Sequence, residues 1–226
     1  MMADNVQQVL TRIARACAST RRPVQSVTLL AVSKTFDAAA VREAYNAGLR
    51  RFGENYVQEG LAKIAALADL RAELEWHLIG PVQSNKTRVV AESFDWVHSV
   101  DRLKIAQRLS EQRPPGLPPL NVCLQVNISG EPSKSGLSVA EVDEVARAVA
   151  KLPGLRLRGL MAIPEPAENV DEQRAPHRAL HELLQSLQAG GLALDTLSIG
   201  MSADLEAAIA EGATIVRVGT ALFGSR

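Results

Sequence analysis

The stretch VTLLAVSKT, residues 27–35, decides how the rest of the chain is interpreted. Its first six residues are all apolar or β-branched, which predicts a strand that is buried on both faces. Strands of this kind belong to parallel sheets covered by helices. The next three residues, Ser33-Lys34-Thr35, contain no glycine, whereas an open dinucleotide-binding sheet usually carries GxGxxG after its first strand. The stretch therefore predicts a parallel α/β fold without that fingerprint.

The segments on both sides of this strand have the period of helices. Apolar residues recur every three or four positions over residues 3–20, which predicts a leading helix. Asp37 is a suitable N-cap for the next helix, and Gly48 closes it. The same alternation continues along the chain. It predicts seven more strands, at residues 50–53, 75–79, 95–98, 120–126, 155–163, 193–199 and 214–218. The helices between them are expected at 56–70, 84–91, 101–112, 138–152 and 172–189, with a last one beginning at Ser202.

Eight strands that alternate with helices indicate a single (β/α)8 TIM-type barrel with an extra N-terminal helix. Such barrels take about 250 residues and can be as small as about 200, so the 226 residues of this chain are sufficient. The competing fold is a doubly wound open sheet, which usually has five or six strands. The proline-rich segment RPPGLPP, residues 113–119, is too short to link two domains. We therefore expect one domain over residues 1–226.

Composition excludes several classes of function. The 25 Lys+Arg residues are balanced by 25 Asp+Glu, which argues against partners such as nucleic acid or an anionic membrane surface. No apolar run approaches the ~20 residues of a membrane helix, and the first residues lack a basic and then apolar leader. Cys17 and Cys123 stand alone in apolar surroundings, as buried free thiols do in a reducing compartment. These features predict a cytoplasmic protein.

Candidate functional residues follow from the barrel. Active sites of these barrels lie at the carboxyl ends of the strands, and phosphate often binds in the loops after strands seven and eight. The first of these loops offers Ser198, Gly200 and Ser202, with Ser202 expected to open a helix whose free N–H groups attract an anion. The second loop offers Gly219 and Thr220. Either loop alone would be interpreted as an ordinary turn, but the two together predict an anion cup.

Lys34 directly follows the first buried strand, at the mouth of the barrel. A lysine that is desolvated there keeps part of its amine uncharged, and an uncharged amine attacks carbonyl carbons. A reactive amine that faces an anion cup suggests a phosphorylated aldehyde or a phosphosugar as the ligand. Arg217 ends the eighth strand between these two features. It either faces the ligand or forms an ion pair with an acid at a strand end such as Glu54.

Other chemistries have weaker support. His77 and His98 lie near strand ends but lack the neighbouring carboxylates of a metal site, so no metal is expected. His177 and His181 are four residues apart on an outer helix, where a solvated face is expected. Ser198 has no companion set suited to acyl transfer. The loop that contains Lys134 is either a lid or a solvated loop.

Several blocks of the chain resemble the pyridoxal phosphate homeostasis protein family, in the family's own order. The blocks are LLAVSKT (29–35), RFGENYVQE (51–59), WHLIGPVQSNK (76–86), VNISGEPSKSGL (126–137), GLMAI (159–163), LSIGMSADLEAAI (197–209) and RVGTALFG (217–224). The resemblance implies a monomeric barrel like the N-terminal domain of alanine racemase. It also implies pyridoxal 5′-phosphate (PLP) as cofactor, held as a Schiff base on Lys34.

The resemblance assigns further roles residue by residue. Arg217 is expected to face the pyridine nitrogen, and Asn55 to lie beside the ring. The phosphate is expected at residues of the two loops after strands seven and eight, namely Ser198, Gly200, Met201, Ser202, Gly219 and Thr220.

Members of the family are regarded as regulators of free PLP, which makes PLP-dependent apoenzymes possible partners. We therefore expect cofactor binding and vitamin B6 homeostasis without significant turnover. The alternative is a PLP-dependent racemase or lyase that acts on a small amino acid. Alanine racemase takes a second base, a tyrosine, from an additional domain. This sequence has only Tyr45 and Tyr56 and ends soon after the barrel, which favours the expectation of no turnover.

Overall fold

The computed structural model describes residues 1–224 and confirms the barrel. Eight parallel strands pair in chain order, and the last strand pairs with the first. The strands are β1 (Thr28–Val32), β2 (Arg51–Glu54), β3 (Glu75–Leu78), β4 (Trp96–Val100), β5 (Leu120–Gln125), β6 (Leu155–Met161), β7 (Thr196–Ser198) and β8 (Ile215–Val218). Because the barrel is closed and parallel, all eight carboxyl ends meet at one mouth.

The described residues form nine α-helices. They are α1 (Met2–Ser19), α2 (Ala38–Asn46), α3 (Val57–Ala66), α4 (Thr87–Ser93), α5 (Leu103–Gln112), α6 (Val139–Val149), α7 (Val170–Ala189), α8 (Leu205–Ala210) and α9 (Thr220–Phe223). Helix α1 is the extra N-terminal helix expected from the sequence, and it packs against α8 and α9. Within residues 1–224, no helix is long and apolar enough to cross a membrane.

Local capping explains where several helices begin. The side chain of Asp37 accepts a hydrogen bond from the Ala40 N–H at 2.9 Å, as expected for the N-cap of α2. Ser138 and Glu141 form a capping box at the start of α6. These short polar side chains satisfy N–H groups that have no partner inside the helix.

The segment around β7 differs from the sequence prediction. The strand covers Thr196–Ser198 instead of residues 193–199, and the following helix begins at Leu205 instead of Ser202. The physical reason is a turn in which the Asp204 carboxylate accepts the Met201 N–H at 2.7 Å. That bond ties down residues 201–204 before the helix starts.

Apolar side chains pack on both sides of the barrel wall. The larger cluster lies between the strands and the surrounding helices. A smaller cluster lies in the barrel interior and comprises Leu30, Val32, Ile79, Trp96, Cys123, Met161 and Ile215. Cys17 and Cys123 are buried free thiols, as expected. Burial raises the pKa of Cys123 to about 12, so this thiol is unreactive at neutral pH.

Candidate functional site

A cavity of about 300 Å³ opens beside the barrel mouth, between the loops that follow β2, β3 and β5. Asn55 lines it, and the buried Oδ1 atom of Asn55 has no hydrogen-bond partner among the described residues. Gly80 lets the loop after β3 pack directly on the backbone of Asn55, since a Cβ atom at Gly80 would lie 1.9 Å from the Asn55 carbonyl oxygen. A buried acceptor without a partner is costly. Asn55 therefore fits a ligand that brings a donor or a water to this point.

Lys34 follows β1 at the mouth, as the sequence predicts, but its surroundings differ from the expectation. The residue is exposed, while Ser33 just before it is buried. The desolvation expected for Lys34 is thus absent in this structure, because the chain turns outward at Thr35, whose φ is +71°. Stacking of Phe36 on Phe223, with centroids 5.1 Å apart, ties this turn to α9.

A buried ion pair supports the turn that carries Lys34. The Lys63 Nζ atom donates to Glu54 Oε1 at 2.8 Å and to the Ser33 carbonyl oxygen at 2.7 Å. The Ser33 hydroxyl also donates to Glu54. Burial raises the pKa of Glu54, and the hydrogen bonds from Lys63 and Ser33 oppose that rise. The backbone just before Lys34 is thereby fixed to β2 and α3.

The two loops predicted to form the anion cup lie side by side. The Gly200 carbonyl oxygen accepts a hydrogen bond from the backbone N–H of Arg217 at 2.9 Å, which joins the loop after β7 to β8. Gly200 has φ +92°, and a Cβ atom there would lie 2.5 Å from that of Ala208, so only glycine fits. A Cβ atom on Gly219 would lie 3.2 Å from the Val32 carbonyl oxygen, which places the second loop against the end of β1.

The backbone N–H groups of these loops are only partly available. The Met201 N–H donates to the Asp204 carboxylate at 2.7 Å and is therefore not free for an anion. No acceptor for the N–H groups of Ser202 and Thr220 is found within residues 1–224. Thr220 is the first residue of α9, so its N–H has no acceptor inside that helix. Free N–H groups of this kind bind anions, so the cup remains a candidate phosphate site, although Ser202 does not open a helix.

Arg217 is buried in the barrel without a carboxylate partner among the described residues. One Nη atom donates to the carbonyl and hydroxyl oxygens of Ser198, and the other donates to the Ala162 carbonyl oxygen at 2.9 Å. The alternative of an ion pair with Glu54 is wrong, because Glu54 pairs with Lys63. Burial lowers the pKa of Arg217 to about 10, which still leaves the guanidinium charged at neutral pH.

The Ser198 hydroxyl is engaged inside the barrel, whereas the resemblance assigns Ser198 to the phosphate. Its hydroxyl is fully buried inside the barrel, 2.7 Å from His98 Nδ1 and 2.8 Å from an Arg217 Nη atom. His98 in turn contacts His77, and sequence reasoning assigned neither histidine a role at the mouth. The signal that could have found them is a histidine inside each of two otherwise buried strands, β3 and β4.

The expectation for the histidines of the outer helix is also wrong. His177 is fully buried, and its Nε2 atom lies 2.9 Å from Asp204 Oδ2. His181 Nδ1 lies 2.7 Å from the Glu211 carbonyl oxygen. Helix α7 packs this face on α8, so His177 is excluded from solvent and His181 is half-buried. Burial tends to raise the pKa of Asp204, but the His177 hydrogen bond and the Met201 N–H outweigh it and lower that pKa.

Comparison with known proteins agrees with this geometry. The family model described as the alanine racemase N-terminal domain matches residues 8–226. The pyridoxal phosphate homeostasis protein of Pseudomonas aeruginosa is 64% identical over 225 residues, which cover 100% of this chain and 96% of the relative. That of Escherichia coli is 55% identical, covering 100% of this chain and 97% of the relative. The chain belongs to the pyridoxal phosphate homeostasis protein family.

Solved structures extend the comparison. PipY of Synechococcus elongatus, determined with PLP bound, has a TM-score of 0.85 and 40% identity, and the match covers 99% of this chain and 100% of PipY. Alanine racemase from Corynebacterium glutamicum has a TM-score of 0.70 at 17% identity, over 98% of this chain and 59% of the racemase. The second similarity concerns the fold alone. The pyridoxal phosphate homeostasis protein family and alanine racemase thus share the barrel.

The buried Glu54–Lys63 pair leads to a stability prediction. Replacing Lys63 with Met leaves the Glu54 carboxylate buried without its cation, which should lower the free energy of unfolding at pH 8 by about 3–5 kcal/mol. The substitution also raises the pKa of Glu54 further in the folded state. The loss should therefore shrink as the pH falls from 8 to 5 and the carboxyl becomes protonated. Urea unfolding at the two pH values measures both effects.

Lys104→Met is the matched control, since Lys104 is an exposed helical lysine on α5. Its effect should stay within about 0.5 kcal/mol at both pH values. A similar loss in the two variants, or a loss in the Lys63 variant that does not change with pH, would contradict the role assigned to the pair.

Proposed function

We propose that this protein binds PLP at the barrel mouth and maintains the supply of that cofactor without significant catalytic turnover. The single observation that carries the proposal is the arrangement of the strand ends. A lysine after β1, a buried guanidinium on β8 and two loops with free N–H groups converge on one mouth. The names of the relatives and the PLP-bound structure of PipY support the same ligand.

The phosphate group is assigned to the cup formed by the loops after β7 and β8. The N–H groups of Ser202 and Thr220 are directed to an anion in this assignment, and the small residues Gly200 and Gly219 allow close approach of the backbone. Hydrogen bonds to charged groups contribute about 1.5–3 kcal/mol each. The cup should therefore supply much of the affinity.

The ring is assigned to the space between Asn55 and Arg217. The buried Oδ1 atom of Asn55 without a partner fits a polar ring substituent or its water. Arg217 uses three N–H groups on Ser198 and Ala162, and a guanidinium carries five. One of the two others can donate to the pyridine nitrogen, which has a single lone pair.

Lys34 is assigned the covalent link. PLP supplies an aldehyde that condenses with primary amines. The ε-amine of Lys34 would hold PLP through such a condensation, in which a C=N bond to Lys34 would replace the C=O bond and the oxygen would leave as water. The exposed position of Lys34 leaves this amine open to a second amine that could take over the aldehyde. Such access suits a protein that stores PLP and releases it to PLP-dependent apoenzymes.

Arg217 supports the proposal that turnover is negligible. A guanidinium only donates hydrogen bonds, so a ring nitrogen opposite it accepts and stays unprotonated. A protonated ring is the stronger electron sink in PLP chemistry. A racemase or lyase would gain from an acidic residue at this position. We propose further that the protein acts as a monomer in the cytoplasm, in line with its two buried free thiols.

The covalent assignment predicts the site of chemical trapping. Borohydride reduction of the PLP-loaded protein should place the pyridoxyl label on Lys34, as peptide mapping by mass spectrometry would show. Lys34→Ala should abolish the label and the absorbance of the Schiff base. Lys134→Ala is the matched control, since Lys134 also lies at the mouth but pairs with Glu131 at 2.9 Å. A label confined to Lys134 or Lys86 would contradict the assignment.

The phosphate assignment predicts a selective loss of affinity. Ser202→Asp introduces a carboxylate into the cup and should weaken PLP binding by about tenfold or more, since each factor of ten corresponds to about 1.4 kcal/mol. Pyridoxal lacks the phosphate, so its affinity should barely change. Ser202→Asn has the same shape without the charge and serves as the control. Titrations with both ligands measure the effect, and equal losses for PLP and pyridoxal would place the phosphate elsewhere.

A further inference from the structure

A continuous line of hydrogen-bonded side chains runs through the barrel interior behind the proposed site. His98 Nδ1 lies 2.7 Å from Ser198 Oγ, and His98 Nε2 lies 2.8 Å from His77 Nδ1. His77 Nε2 lies 2.8 Å from Glu75 Oε1, at the start of β3. Arg217 donates to Ser198 Oγ at 2.8 Å. We call these five residues the interior chain, and they connect the mouth to the opposite end of the barrel.

The direction of each hydrogen bond follows from the Arg217 end. The guanidinium can only donate, so Ser198 Oγ accepts from it and offers its single O–H to His98 Nδ1. A neutral histidine with an unprotonated Nδ1 carries its proton on Nε2. His98 Nε2–H therefore donates to His77 Nδ1. By the same rule, His77 Nε2–H donates to Glu75.

The Glu75 end of the interior chain requires the same direction of hydrogen bonds. The Glu75 carboxylate only accepts, so the neighbouring His77 Nε2 atom must carry a proton. Reversing the chain would place a lone pair of His77 against the carboxylate and leave the Ser198 O–H without an acceptor among residues 1–224. Both histidines are fully buried. Burial lowers the pKa of His77 and His98, which agrees with two neutral rings.

The end of the interior chain that lies away from the mouth, at His77 and Glu75, is fixed by its neighbours. His77 stacks on Trp96 with centroids 5.2 Å apart and an interplanar angle of 9°. The Arg158 guanidinium lies 4.6 Å from the centroid of the same Trp96 ring. Arg51 lies 3.2 Å from the carboxylate of Glu75. Burial tends to raise the pKa of Glu75, but the His77 hydrogen bond and the charge of Arg51 outweigh it and lower that pKa. Glu75 is thus kept as an acceptor.

We propose that His98 is a positioning residue for Arg217, acting through the Ser198 hydroxyl. By accepting the Ser198 O–H, His98 turns a lone pair of Ser198 Oγ toward Arg217 and holds the guanidinium with its remaining N–H groups toward the mouth. His77 and Glu75 fix the tautomer of His98. The ligand side of this inference rests on the proposed function, whereas the order of hydrogen bonds does not depend on any ligand.

The order of hydrogen bonds can be tested in the unmodified protein without ligand. Ring nitrogen chemical shifts of ¹⁵N-labelled histidine report which nitrogen carries the proton. His77 and His98 should both be neutral with the proton on Nε2 at pH 7. A proton on His98 Nδ1, or a doubly protonated His98, would overturn the inference whether or not the protein binds PLP.

The positioning role can be tested with two variants of His98. The side-chain amide oxygen that His98→Asn introduces can take the place of Nδ1 as acceptor, whereas His98→Leu offers no acceptor. Both variants lose the link to His77. PLP affinity should fall about fivefold in His98→Leu relative to His98→Asn, a factor typical of one neutral hydrogen bond, and the absorbance maximum of bound PLP should shift only in His98→Leu.

The Ser198→Ala background supplies the control. Without the Ser198 hydroxyl, the difference in PLP affinity between the two His98 variants should vanish. Equal affinities and spectra for the two variants in the presence of Ser198 would show that His98 only fills space. Absence of PLP binding by the wild type would instead refute the proposed function and leave the chemical-shift result to decide the interior chain.

Discussion

A guanidinium buried among neutral groups is the constraint on which the mouth of this barrel depends. Arg217 is only 4% exposed, and a buried charge needs compensating hydrogen bonds. Carbonyl oxygens of Ser198 and Ala162 and the Ser198 hydroxyl supply them. No carboxylate within residues 1–224 forms an ion pair with Arg217, and Asp204 is the acidic side chain whose charge acts on it. The charge of Arg217 suits a dianionic ligand whose ring nitrogen accepts a hydrogen bond.

The other residues of the site have two separate roles, one in fixing the backbone and one in presenting an amine. The Glu54–Lys63 pair fixes the backbone before Lys34, while the Lys34 side chain stays exposed. A rigid backbone that carries an accessible amine would allow a covalent link to PLP to form and to be exchanged. In the proposed function, the same geometry provides little for catalysis, because Arg217 would disfavour a protonated ring. The proposed binding and release of PLP would thus rest on one arrangement of charges.

Much of the fold could be predicted from sequence, since buried strands and amphipathic helices have local signatures such as the Asp37 cap. The start of α8 could not, because Ser202 and Asp204 are equally good capping residues and only the Met201–Asp204 bond decides between them. The interior chain was also missed. It joins residues from Glu75 to Arg217 on different strands, and only barrel closure brings them together. For the site, strand ends and motifs predicted Lys34, Asn55 and Arg217, and their roles toward PLP stay predictions, whereas the buried position of Ser198 required the structure.

The proposed function depends most on Arg217, which would hold the ring nitrogen of bound PLP unprotonated. The most direct measurement is the ¹⁵N chemical shift of the pyridine nitrogen of labelled PLP bound to the unmodified protein. We expect the shift of an unprotonated pyridine that accepts a hydrogen bond, unchanged across neutral pH. A pyridinium shift at pH 7 would contradict this expectation.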